Sequence, residues 1–208
     1  MYNIGALLED YQLLNLHEVI HHDRYNQYSI VHHSSAIEGS SVTENEIRVL
    51  PEGDTTPKGK PFEHSLMVKD YYHALLFTIE AAQNKIPVTA DLVRGSNARV
   101  MKTTGRIYKT VLGEIDASQG MFRKGNVSAG GSYFVNYDKV EPYTLSLTKK
   151  LQASMEQELT VEEKLQLSFS THFYFGFYSS ILWWQWLNQQ AAREFHPAIF
   201  SSAAGNCL

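Results

Sequence analysis

The stretch Phe175-Gly176-Phe177-Tyr178-Ser179-Ser180-Ile181-Leu182-Trp183-Trp184-Gln185-Trp186 decides how this chain is read. Tryptophan has a single codon, so Trp183-Trp184-Gln185-Trp186 must be written TGG TGG CAR TGG. One base later, the same DNA forces Gly-Gly-(Asn or Ser)-Gly. Codon choices on either side then permit V-S-I-H-P-F-F-G-G-N-G-(S or L)-T-S-R-L-L-V-N-F-I-Q-Q-F-F-H-L-P-L-V-I-V. A single inserted base near Gly176 converts one reading into the other. The chain itself contains neither the H-P-F nor the G-N-G of that string.

Upstream of this point the sequence reads as mostly helical. Leu7, Leu8, Tyr11, Leu14 and Val19 recur at helix spacing. Thr43-Glu44-Asn45-Glu46 is a capping box, in which Thr43 and Glu46 satisfy each other's orphan donors. Pro51 to Pro61 is a loop. Glu63 to Gln83 is a long helix with Met67, Tyr71, Ala74 and Leu75 on one face. Pro87 breaks it, and a further helix begins near Thr89. A second capping box, Thr160-Val161-Glu162-Glu163, opens a helix through Leu165, Leu167, Phe169 and His172. Gly120 to Asp138 is the exception: Gly130-Gly131 beside Ser132-Tyr133-Phe134-Val135 predicts a short β-hairpin.

Bulk properties narrow the function. The 208 residues suit one domain with a small N-terminal extension, and 43% hydrophobic with 19% charged residues is ordinary globular composition. A net charge of -4 argues against general binding to nucleic acid or an anionic membrane. One cysteine, Cys207, rules out a disulfide framework and a cysteine-rich zinc site. The start shows no basic region followed by an apolar run, so a cytoplasmic protein is expected.

Ser34-Ser35-Ala36-Ile37-Glu38-Gly39 resembles the (S/T)-x-x-x-E-(G/N) inhibitory helix of one class of Fic proteins, the AMP transferases whose signature is H-P-F-x-(D/E)-G-N-G-R-x-x-R. Ser34 and Glu38, four apart, share a helix face. Read alone, the same residues are equally a cap and a solvated acid on a surface helix. Gly120-Met121-Phe122-Arg123-Lys124-Gly125-Asn126-Val127 resembles the family's G-x-x-R segment, and Gly131, Ser132, Tyr133, Phe134 and Val135 resemble the target-binding flap that follows it. The resemblance covers residues 30–175. It implies a mainly α, Fic-like helical bundle with a small β-hairpin flap, an N-terminal helical extension over 1–29 and an out-of-frame tail over 176–208.

The resemblance further implies transfer of AMP from ATP to a protein hydroxyl, with ATP and magnesium as cofactors. A histidine acts as base, the G-N-G turn and arginines hold phosphates, and an acid holds the metal. None of these groups survives in this chain. His172 precedes the expected position of the base, and His196-Pro197 is followed by no G-N-G. Even the shifted string has Gly in place of the metal-binding acid and cannot spell the first arginine. The chain is therefore expected to be inactive, with no catalytic or metal-binding residue of its own and no productive hold on nucleotide. The flap implies a protein target paired by strand addition; an oligomer remains open. Glu38, having lost its arginine, is expected to be exposed or paired with a substitute such as Arg193. The apolar run Ile181, Leu182, Trp183, Trp184, Trp186 and Leu187 either refills the vacated core or drives a swapped dimer.

Overall fold

The computed structural model describes residues 22–50, 56–129 and 132–178, together with isolated positions before residue 15. Leu8, Tyr11, Val19 and everything beyond residue 178, with its tryptophans, Arg193 and His196, lie outside the described residues. Leu7 and Leu14 are exposed. The chain order is α1 (His22–Ile37), α2 (Glu44–Ile47), α3 (Phe62–Gln83), α4 (Ala90–Val100), β1 (Ile107–Thr110), β2 (Gly113–Asp116), a 3-10 turn (Ala117–Gln119), β3 (Ser128–Ala129), β4 (Ser132–Tyr133), α5 (Tyr137–Met155) and α6 (Val161–Tyr178).

Helix α3 is central, packed by α1 on one side and α4 on the other. Tyr28, Val31 and Ser35 recur at helical spacing and form the buried side of α1. Tyr28 and Val31 meet Val68 and Tyr71 of α3, and Val42, Ile47 and Leu50 close the cluster. Full burial of such aliphatic side chains stabilises by roughly 1.5–3 kcal/mol each. Met67 and Leu75 pack against the same cluster, so the anticipated apolar face of α3 is the one that is buried.

The predicted starts coincide with the observed caps. The Glu46 carboxylate accepts hydrogen bonds from both the amide and the hydroxyl of Thr43, each 2.8 Å, opening the single turn α2. Glu163 does the same for Thr160 at 2.8 Å ahead of α6. Thr89 accepts from the Leu92 amide at 3.1 Å and starts α4. Among the described residues no helix is long and apolar enough to cross a membrane.

A buried carboxylate ties α3 to the turn after α4. Asp70 is 2% exposed, and its Oδ2 accepts from the Thr103 amide at 2.7 Å and hydroxyl at 2.8 Å. Burial raises its pKa, while the bonds from Thr103 and the Thr104 amide hold it back. Hydrogen bonds to charged groups are worth about 1.5–3 kcal/mol, and stranded buried donors cost more. Asp70→Ala should therefore lower stability by about 3 kcal/mol in urea unfolding, whereas a loss under 1 kcal/mol would make the contact incidental.

Beyond the anticipated hairpin there is a second one. Strands β1 and β2 pair antiparallel with Ile107 opposite Asp116 and Lys109 opposite Glu114. Ile115 turns inward at 2% exposure, which leaves Ile107 and Lys109 on the outer face. Its connection, Val111-Leu112, lacks the Asn or Gly usual in such turns. Thr110 replaces them: its hydroxyl donates to the Gly113 carbonyl at 2.7 Å and accepts from the Leu112 amide at 3.2 Å.

Candidate functional site

The Ser34–Gly39 motif forms the C-terminal end of α1, and its geometry explains its last two letters. The Ser40 amide donates to the Ser35 carbonyl at 2.9 Å, and the Gly39 amide to the Ala36 carbonyl at 3.0 Å. This is the Schellman pattern, which requires a left-handed residue at the position of Gly39. Its φ is +88°. Glycine and asparagine tolerate that conformation best, which is why the motif ends in one or the other. Ser34 is half-buried, one turn before Glu38.

Glu38 is half-buried with no ion pair among the described residues, so it is not the fully exposed acid expected; Arg193, the substitute considered, lies outside them. Its Oε1 is sealed from water and has no hydrogen-bond partner in the described structure. Burial pushes its pKa up to about 7. Tyr71 on α3 lies within its electrostatic reach, and burial, then the Glu38 charge, raises the Tyr71 pKa. The site thus holds a carboxyl with no cation paired to it among the described residues.

That carboxyl makes stability depend on pH. The folded pKa exceeds the unfolded value of about 4.5, so the folded state binds the extra proton between those values. Its contribution is fully present below pH about 4.5 and is lost as pH rises through about 7. Glu38→Gln should remove this loss. Allowing for the part of the group still open to water, the variant should gain about 1–2 kcal/mol over the parent at pH 8 relative to pH 5. Parallel urea titrations at the two pH values decide it; equal pH slopes would place Glu38 in water.

A hairpin forms where the sequence predicts one. Strands β3 and β4 pair with Ser128 opposite Tyr133 and Ala129 opposite Ser132. Gly131 lies outside the described residues. Tyr133 is 85% exposed. Phe134 and Val135 are half-buried and sit beyond β4 in the stem rather than in the strand. The Phe134 amide donates to the Val127 carbonyl at 3.2 Å. The Tyr137 amide donates to Asn126 Oδ1 at 3.0 Å.

Sequence reasoning did not assign roles to the residues that hold this flap. Arg123 is 2% exposed, and its guanidinium donates to the Gly125 carbonyl at 2.8 Å and to the Val135 carbonyl. Burial lowers its pKa to about 10, so it remains charged at neutral pH. Gly120 adopts φ +61°, and its carbonyl accepts from Arg94 Nε at 3.2 Å. Arg94 also lies over the Phe122 ring at 5.6 Å. The G-x-x-R spacing was the available signal: a left-handed turn, then an arginine three residues on that enters the interior.

Glu38 and the flap belong to different parts of the fold, the first at the α1–α3 junction and the second beyond the end of α4. The described residues contain no group of three or more His, Cys, Asp or Glu side chains able to hold a metal ion.

No family model matches the chain, and no curated protein matches it either. Solved structures do. A Fic family protein from Desulfovibrio desulfuricans superimposes with a TM-score of 0.62 at 15% identity, over 90% of this chain. The chain spans 55% of that protein's length. At this identity the likeness is one of fold. The protein has a Fic-like fold: mainly helical, with small two-stranded antiparallel hairpins among the described residues.

Proposed function

We propose that this chain is a Fic-type AMP transferase scaffold whose catalytic segment has been lost to a shift of reading frame. The observation that supports this best is the combination of a Fic-like fold with a sequence that contains no H-P-F-x-(D/E)-G-N-G-R-x-x-R. The Ser34–Gly39 helix end, with a partly desolvated carboxyl that has no cation among the described residues, fits an inhibitory glutamate deprived of its arginine. In this reading the chain has no general base, no phosphate loop and no productive hold on ATP and magnesium. Sequencing the gene tests the frame directly. The expected run at Phe175-Gly176 is TTTGGTTTCTATTCA in place of TTTGTTTCTATTCA. Codons that forbid I-H-P-F in the second frame would end the idea.

A second reading is a non-catalytic module that docks a protein partner through the flap. The exposed Tyr133 on a firmly held hairpin favours it. Strand addition would give affinity through main-chain bonds, with side-chain pockets selecting the partner. Nucleotide titration against partner pull-down separates the two readings.

A further inference from the structure

We propose that Arg123 is a positioning residue that holds the two stems of the flap in a conformation ready for strand addition. The proposal rests on the reading of the flap as a docking edge. Its structural basis is independent of any partner. The hairpin has only two residues in each strand. An isolated two-stranded hairpin of ordinary length is already marginal in water, so a flap this short needs support from its stems.

That support converges on one side chain. Gly125 precedes the hairpin and Val135 follows it, and the Arg123 guanidinium donates to the carbonyls of both. A guanidinium can do this because its donors form a rigid planar fork; an ammonium is a point charge on a flexible stem. Two lesser contacts close the same stems: Phe134 to Val127, and Tyr137 to Asn126. Gly120, three residues before Arg123, makes a left-handed turn at φ +61°. Lys124 extends the anchorage by donating to the Glu114 carbonyl in β2 at 3.3 Å. A docking edge that is already extended loses less conformational freedom when a target strand pairs with it.

Hydrogen exchange on the full chain tests the assignment. In Arg123→Lys the charge remains and the fork is gone. Amides of residues 128, 129 and 132–134 should then exchange at least tenfold faster, while amides of α3 keep their protection. Asn126→Ala, which removes an exposed side chain, should loosen the same amides to a smaller extent. Unchanged flap exchange in Arg123→Lys, or loss of protection spread evenly over flap and α3, would overturn the proposal. So would outright unfolding of Arg123→Lys, which would place the residue in the core's stability instead. A flap that loosens as expected but captures no partner would remove the docking reading and leave the clamp.

Discussion

Deleting one base in the Gly176 codon should turn a chain that ignores ATP into one that binds it. The chain as it stands should show no labelled AMP on itself or on lysate proteins, and millimolar ATP with magnesium should leave its melting temperature unmoved. Glu38→Gly, which relieves inhibition in the proteins this helix resembles, should change neither result. In the restored frame the G-N-G turn and a histidine return. A ligand present at about 100 times its Kd stabilises by roughly 2.7 kcal/mol. For a chain of this size that corresponds to a rise of about 5–10 °C. AMP transfer by the restored chain should stay weak, because the shifted string lacks the metal-binding acid. The readouts are thermal melts and label incorporation. A rise of several degrees in the unrestored chain would show that a nucleotide pocket survives without the motif.

Gly120→Ala should be the most damaging substitution of a small residue in the described structure. A Cβ there would lie 2.2 Å from the Arg94 carbonyl oxygen and 2.9 Å from its carbon. Both are backbone atoms of α4, so no side chain can swing away. The φ of +61° adds a further penalty for any L side chain. Together, left-handed strain of about 1–2 kcal/mol and overpacking of about 1–3 kcal/mol give an expected loss of about 2–5 kcal/mol. Gly39→Ala is the control: it shares the left-handed backbone, but its Cβ would meet nothing within 4 Å. It should lose only about 1–2 kcal/mol. Urea unfolding of the two variants checks the difference, and equal losses would remove the steric argument at Gly120.

Short-range chemistry explains what could be read without coordinates. Each capping box needs only residues three apart, and both caps form as the sequence implies. Thr89 after Pro87 likewise marks a start through its own hydroxyl. Gly130-Gly131 pointed to a hairpin because hairpin turns need residues that accept positive φ. The β1–β2 hairpin escaped for the converse reason. Val111-Leu112 carries no turn signature, and its geometry depends on the Thr110 hydroxyl and on Gly113 at φ +106°.

The sequence by itself determined the starts of α2, α4 and α6 through their caps, a hairpin beside Gly130-Gly131, and that no H-P-F or G-N-G is encoded in frame. These follow from contacts among near neighbours, or from the letters alone. Only the tertiary structure decided the environment of Glu38 and the work of Arg123. Glu38 looks like a surface acid at a helix end until the fold partly desolvates its carboxyl and brings Tyr71 of α3 within its electrostatic reach. Arg123 is one basic residue among many until the chain returns, twelve residues later, with the Val135 carbonyl. Desolvation and long-range hydrogen bonds depend on which distant segments meet, and no local pattern of residue types records that meeting.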